Sequence, residues 1–192
     1  RGEEKHLRGS EPFTDIGYFS LWINAKGRVS EPPARPKLTT AAGQPRIHLV
    51  ITELTSPGFT HFCINGALPV RERIIADIVE YSRDFDGVQI DFEQVIPDDR
   101  ENFLEFLSLI RERLPRDKLF SVAVPARRSV IPGDQYDYSA IGRIADRVII
   151  MAYDQHWSTS KPGPVAGLNW CADVEKFASE SIPAEKLIMG LP

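Results

Sequence analysis

The sequence predicts an α/β fold built on a parallel sheet from two observations, and one strand segment departs on one face from what such a sheet requires. Short apolar segments typical of strands alternate with longer segments in which apolar residues recur at helical spacing. One strand segment, VIIMAY (148–153), is apolar on both faces, as expected where helices cover both faces of a parallel sheet. Another, VQIDFE (88–93), is apolar on one face and polar on the other. Strand–helix alternation of this kind is typical of parallel α/β architectures.

Six segments are predicted to be strands because they are short, rich in apolar residues and separated by helical patterns. In chain order they are DIGYFSLWI (15–23), RIHLVITEL (46–54), FDGVQIDFE (85–93), LFSVAVPA (119–126), DRVIIMAYD (146–154) and KLIMGLP (186–192).

Four segments are predicted to be helices, at 69–84, 97–115, 138–145 and 172–181. The first two show it most clearly, because their apolar residues fall on one helical face. In the second, Asp98 and Asp99 suit the positive end of the helix dipole, and Pro115 ends the helix.

The polar face of the third strand decides between two kinds of parallel sheet. Gln89, Asp91 and Glu93 occupy alternate positions and therefore share one face. In a doubly wound sheet they would lie beneath helices, at a large desolvation cost. In a (β/α)8 barrel of the TIM type they would face the interior, with the last near the carboxyl-terminal mouth, where such enzymes carry out their chemistry. A single acidic residue at a strand end is commonly a cap or half of a surface ion pair, but three polar residues on one buried face favour a site.

Composition excludes some functions and leaves others open. The 192 residues suffice for one sizeable domain, and the net charge of −4 argues against nucleic acid or an anionic membrane as a partner. No apolar run approaches the length of a membrane span, and the charged start of this chain has no signal-peptide pattern. Cys63 and Cys171 could form a disulfide or remain free thiols, and they lack metal-site spacing.

Two motifs resemble those of glycoside hydrolase family 18, the chitinase-like barrels. DGVQIDFE (86–93) resembles the fourth-strand signature Asp-Gly-x-Asp-x-Asp-x-Glu, with Asp91 and Glu93 at the last two acidic positions and Gln89 in place of the middle aspartate. MAYD (151–154) resembles the sixth-strand motif. The amide at the middle position and the aromatic residue before the glutamate are most similar to the bacterial branch of spore-cortex-lytic and peptidoglycan N-acetylglucosaminidases.

The resemblance also implies how the chain is organised. Its six strands resemble strands two to seven of the eight in a complete barrel, although GYFSLW (17–22) also looks like a first strand. The expected organisation is an N-terminal extension (1–14) followed by a chitinase-like barrel domain (15–192) truncated at both ends.

For the site, the resemblance implies substrate-assisted, retaining hydrolysis of a β-linked N-acetylglucosamine polymer or glycan, of the peptidoglycan or chitin type. Glu93 would be the acid and base, Asp91 would hold the acetamide N–H, and Tyr153 would orient the acetamide oxygen. The expected substrate-binding residues are Asp86, which would support Asp91 from below, and Gln89, Met151, Asp154 and Trp157. The exchange of an aspartate for Gln89 is expected to alter the pH dependence. No metal or cofactor is implied.

Two alternatives remain open from the sequence. The barrel could be a lectin-like member of the family that binds N-acetylglucosamine glycans with little or no turnover. Alternatively, Asp91, Glu93 and Asp154 could ligate a divalent metal in an enzyme of another class. Because polymers of this kind lie outside the cytoplasm, the expected location is secreted, periplasmic or associated with the cell wall.

Overall fold

The computed structural model describes residues 8–192, so residues 1–7 of the expected extension lie outside the described part. It confirms the predicted α/β fold. Six strands form one sheet in chain order, and every neighbouring pair is parallel. All six strand predictions are confirmed to within a few residues. The strands are β1 (Asp15–Trp22), β2 (Arg46–Glu53), β3 (Gly87–Phe92), β4 (Leu119–Pro125), β5 (Arg147–Met151) and β6 (Leu187–Gly190).

Between β2 and β6 the described residues form five α-helices: α1 (Pro57–Ile64), α2 (Pro69–Tyr81), α3 (Arg100–Arg113), α4 (Tyr138–Ile144) and α5 (Leu168–Ser179). The sequence did not predict α1, and α5 begins four residues earlier than expected. A 3-10 turn, Pro97–Asp99, precedes α3 within the segment predicted as one helix.

The helices pack on one face of the sheet and form the apolar core. Val88, Ile90 and Phe92 of β3 are almost completely buried there. The ring of Phe92 stacks on Phe106 of α3, with 5.5 Å between ring centroids. Burying a side chain of this size stabilises the fold by roughly 1.5–3 kcal/mol. The apolar half of the alternating pattern in β3 therefore faces the helices, which leaves its polar half for the other face.

The sheet is strongly curved, with the polar face of β3 on its concave side. In a flat sheet β1 and β5 would be about 19 Å apart, four strand spacings, which an arginine and an aspartate side chain cannot bridge together. Yet Arg147 at the start of β5 donates from Nη1 to Oδ1 of Asp15 at the start of β1, over 2.8 Å. His48 Nε2 also lies 2.8 Å from Asp15 Oδ1. The strands therefore curl around a shared interior, as in a barrel, and in the described residues β1 and β6 are the two edges.

The glycine of the β3 motif has a packing role at the amino-terminal end of this interior. A Cβ atom on Gly87 would lie 2.5 Å from Nδ1 of His48 and 2.5 Å from the carbonyl oxygen of Leu119. Real side chains do not tolerate such distances. Gly87 thus allows β3 to lie close against the histidine of β2 and the start of β4.

Candidate active site

The concave face carries a row of polar side chains along β3 that ends at the mouth of the curved sheet. Gln89 and Asp91 are buried in this row, and Glu93, one residue beyond the strand, is exposed. Gln89 lies opposite Ser121 of β4 in the strand register. The side chains on that face of β4, Ser121 and Ala123, are small and buried. The sequence prediction that the three polar residues share one interior face is consistent with this register.

Asp91 has the most unusual environment in the row. Its side chain is only 6% exposed, yet Oδ1 has no hydrogen-bond partner among the described residues. Burial, together with the negative charge of Glu93, raises the pKa of Asp91 to about 6. A buried acceptor atom without a donor is costly to the fold. Such an atom is suited to a donor that a ligand brings.

Tyr153 lies two residues beyond β5 and belongs to the same cluster. Burial raises the pKa of its phenol, and the negative charges of Asp91, Glu93 and Asp154 raise it further. The tyrosine therefore lies in the field of carboxylates from both β3 and the end of β5. It keeps its proton at neutral pH and can donate a hydrogen bond into the space between those strands.

The backbone turns sharply directly after Tyr153. Asp154 has a φ of +56°, the one positive φ at a non-glycine residue in the described chain. Aspartate tolerates this left-handed conformation better than most residues, but such strain is concentrated at functional sites. The turn is anchored by Gln155, whose N–H donates to Val165 O and whose Oε1 accepts from Gly167 N, both over 2.8 Å.

Met151 and Gly190 shape the wall beside Tyr153. They are paired in the register between β5 and β6. A Cβ atom on Gly190 would lie 3.4 Å from Cε1 of Tyr153 and 3.1 Å from the carbonyl oxygen of Ile150. Gly190 therefore lies directly against the tyrosine ring and the backbone of β5, and its register partner Met151 is half-buried.

Trp157 lies in the loop that follows Asp154 and is 60% exposed. Its Nε1–H donates to Oγ1 of Thr159 over 2.8 Å, which orients the ring within the loop. His156 has a different role, because its Nδ1 bonds to the carbonyl oxygen of Lys161 and its ring lies against Gly163. His156 thus folds the loop, whereas the face of Trp157 remains accessible.

Asp86 is not brought to this cluster. It precedes β3 at the opposite end, where Oδ2 accepts from Ile47 N over 2.7 Å and pairs with Arg35. At about 3.3 Å per residue, five residues of strand separate it from Asp91 by about 16 Å. The contacts of Asp86 therefore hold the start of β3 against β2 and do not include the expected support of Asp91.

Two residues that were not predicted to belong to the site contact the end of β3. The hydroxyl of Tyr136 donates to the carbonyl oxygen of Phe92 over 2.7 Å, and Nε2 of Gln135 donates to that of Val95 over 2.8 Å. Both come from the loop between β4 and α4. No local pattern in the sequence indicates these contacts, since they join segments about 40 residues apart.

Other reactive groups lie apart from this cluster. Cys63 and Cys171 are both free thiols, and burial, with a contribution from the charge of Glu53, raises the pKa of Cys63 to about 12. Within residues 8–192, no three His, Cys, Asp or Glu side chains are placed to hold a metal ion together. No helix in that range is long and apolar enough to cross a membrane.

Comparison with known proteins gives a consistent result. The family model "Glycosyl hydrolases family 18" matches residues 70–192. The cortical fragment-lytic enzyme of Bacillus anthracis is 30% identical over 195 aligned positions, which cover 95% of this chain and 45% of that protein.

Two solved structures share the fold over nearly the whole chain. The Bacillus cereus spore cortex-lytic enzyme SleL matches with a TM-score of 0.80 and 29% identity, and the match covers 92% of this chain and 43% of the SleL chain. A chitinase from Chromobacterium violaceum matches with a TM-score of 0.79 and 26% identity, and the match covers 94% of this chain and 61% of the chitinase chain. The chain spans about half the length of curated relatives such as the cortical fragment-lytic enzymes.

Proposed function

The chain belongs to glycosyl hydrolase family 18, and on that premise we propose that it forms the catalytic part of a glycosidase acting on β-linked N-acetylglucosamine polymers or glycans. One observation carries the proposal. Within residues 8–192 one oxygen of the buried carboxylate of Asp91 has no hydrogen-bond partner, and this carboxylate interacts electrostatically with Glu93 and with Tyr153. This arrangement brings an acceptor, an acid and a donor close together at the mouth of the curved sheet.

Glu93 is proposed as the general acid and base. The acetamide oxygen of the substrate attacks its own anomeric carbon as the glycosidic C–O bond breaks, and Glu93 gives its proton to the leaving oxygen. Water then opens the resulting oxazolinium ion, and Glu93 takes the proton of that water. The net result is hydrolysis with retention. The exposed position of Glu93 at the end of β3 suits a group that must meet both sugar and water.

Asp91 is proposed to bind the acetamide N–H through Oδ1. Its negative charge would then stabilise the positive charge that develops on the acetamide during attack. A pKa of about 6 leaves Asp91 mostly ionised at pH 7. Because Gln89 occupies the next interior position, the buried row carries one charge fewer than a row with an aspartate there.

Tyr153 is proposed to donate its hydroxyl to the acetamide oxygen and aim that oxygen at the anomeric carbon. Met151 and Asp154, on either side of it in sequence, would line the same subsite. The exposed face of Trp157 is suited to stacking on a sugar ring farther along the mouth.

Peptidoglycan is the substrate that the comparisons favour, because the relative from B. anthracis is named a cortical fragment-lytic enzyme and that from B. cereus a spore cortex-lytic enzyme. A substrate of this kind implies action outside the cytoplasm. We therefore propose a glycan partner containing N-acetylglucosamine, at the cell wall or in the spore.

The test is mass spectrometry of the products from a β-1,4 N-acetylglucosamine hexamer and from purified peptidoglycan, both with a chelator present. Cleavage by the wild type that is lost in the Glu93→Gln variant supports the proposal, and the substrate that is cut identifies the polymer. Binding of either glycan without cleavage by the wild type would instead indicate a lectin. Activity that disappears with the chelator would favour the metal-dependent alternative.

A further inference from the structure

The peptide unit between Phe92 and Glu93 is held from both sides. Its N–H donates to the carbonyl oxygen of Glu53 on β2 over 3.2 Å. Its carbonyl oxygen accepts from the hydroxyl of Tyr136 over 2.7 Å. The register between β3 and β4 ends at Ile90. The hydroxyl of Tyr136 therefore supplies the hydrogen bond to Phe92 that β4 no longer provides. This peptide fixes the position from which the side chain of Glu93 projects.

A second contact from the same loop fixes the chain just after Glu93. Nε2 of Gln135 donates to the carbonyl oxygen of Val95 over 2.8 Å. Consecutive residues of the β4–α4 loop therefore hold the backbone on both sides of the proposed acid. The segment from Phe92 to Val95, which carries Glu93, is therefore hydrogen-bonded to the loop at both of its ends.

The loop residue Tyr136 is itself buried and held by several contacts. It is 2% exposed, and its ring meets the edge of Phe103 in α3 at 5.9 Å between centroids. Arg127 lies over the same ring at 5.8 Å and pairs with Asp134, Nε to Oδ2, over 2.6 Å. The other oxygen of Asp134 accepts from Tyr136 N over 3.1 Å. Burial raises the pKa of Tyr136, so its hydroxyl stays a donor at every working pH.

We propose that Tyr136 and Gln135 are positioning residues for Glu93, forming a clamp that aligns the acid with the glycosidic oxygen. The inference rests on the proposed function, since it assigns these residues to the reaction that Glu93 would catalyse. Their side-chain hydrogen bonds go to the backbone on either side of Glu93 and not to its carboxylate, so they would act through the geometry of that backbone. A displacement of the acid by a fraction of an ångström reduces kcat without weakening substrate binding.

The test compares two variants that each lose one buried hydroxyl. Tyr136→Phe removes the bond to Phe92 and keeps the packing of the ring. Tyr138→Phe is the matched control, because Tyr138 is also buried and its hydroxyl donates over 2.7 Å to the carbonyl oxygen of Pro125 at the end of β4. Gln135→Ala tests the second contact. All are made in the full-length protein alongside Glu93→Gln, with the cleaved glycan from the substrate test as the probe.

We expect Tyr136→Phe to lower kcat roughly 10- to 100-fold with KM nearly unchanged. Gln135→Ala should have a smaller effect of the same kind. Hydrogen exchange of the Glu93 amide should accelerate in Tyr136→Phe and not in Tyr138→Phe, even if both variants lose similar stability.

Equal kcat values for Tyr136→Phe and Tyr138→Phe, in a protein whose activity depends on Glu93, would overturn the clamp and leave the proposed function intact. Unchanged exchange at Glu93 would overturn it as well. A wild type without turnover would overturn the proposed function and the clamp together.

Discussion

Replacing Asp91 by asparagine should stabilise the protein while it removes activity. Asp91 is buried, its Oδ1 meets no donor in the described part of the chain, and its pKa is raised from 3.8 to about 6. Each pKa unit corresponds to about 1.4 kcal/mol, so keeping this carboxylate ionised in the folded protein costs about 3 kcal/mol. Asparagine has nearly the same shape and carries no charge to desolvate.

The sign of the effect sets a pH window. Because the folded protein holds the proton of Asp91 more tightly than the unfolded chain, the protonated form contributes stability that is fully present below about pH 4 and lost as the pH rises through about 6. Asp91→Asn should therefore resemble the wild type near pH 4. It should exceed the wild type by about 2–3 kcal/mol in free energy of unfolding at pH 8.

Urea denaturation at pH 4 and pH 8 measures this difference, and hydrolysis assays follow the activity. Asp86→Asn is a control at the residue just before the same strand, with the opposite expectation, because Asp86 accepts from Ile47 N and pairs with Arg35. That variant should lose about 0.5–1.5 kcal/mol. The reasoning about Asp91 is refuted if Asp91→Asn is less stable than the wild type at pH 8, or if its gain is the same at both pH values.

Three further changes test neighbouring parts of the account. Gln89→Asp adds a second carboxylate to the buried row, which should raise the pKa of Asp91 and move the acid limb of the pH profile of kcat/KM to higher pH. If the acid limb stays at the wild-type pH, the two positions do not interact. Tyr153→Phe keeps the ring and removes the hydroxyl, so kcat should fall roughly 10- to 100-fold. A wild-type kcat in steady-state assays of this variant would remove Tyr153 from the mechanism. Gly87→Ala places a Cβ 2.5 Å from His48 Nδ1, which should cost about 1–3 kcal/mol in thermal or urea unfolding; an unchanged melting temperature would contradict the packing role of the glycine.

The strands and the cluster could be predicted because their signals are local. Alternation in VQIDFE separates the two faces of β3, and parallel strands bring their carboxyl ends to the same edge, which explains why Glu93 and Tyr153 lie close together. The position of Asp86 could also have been read from the sequence. A strand rises about 3.3 Å per residue, so a residue five positions before Asp91 lies too far away to support it.

Helix α1 was missed because its sequence, PGFTHFCI, has no clear polar face and opens with a Pro-Gly pair that is typical of turns. In the structure Pro57 occupies the first helical turn, and Oγ of Ser56 accepts from Phe59 N as the cap. The start of α5 was placed late for a similar reason, because Leu168 is exposed and does not continue the apolar face.

The clamp at Glu93 could not be predicted from any local pattern. Tyr136 and Phe92 are 44 residues apart in sequence, and only the folded sheet brings the β4–α4 loop over the end of β3. The burial of Asp91 without a partner likewise depends on the curvature of the whole sheet. Periodicity indicates which face a side chain occupies, but tertiary packing decides which atoms find partners.

The most direct test of the central claim is the anomeric configuration of the first product, followed by proton NMR during cleavage of a β-1,4 N-acetylglucosamine oligomer. Wild type, Glu93→Gln and the surface control Glu175→Gln are compared under the same conditions. Substrate-assisted catalysis by Glu93 predicts that the β-anomer appears first and that only Glu93→Gln loses the reaction, by about 100-fold or more. Initial formation of the α-anomer, or full activity in Glu93→Gln, would contradict the account.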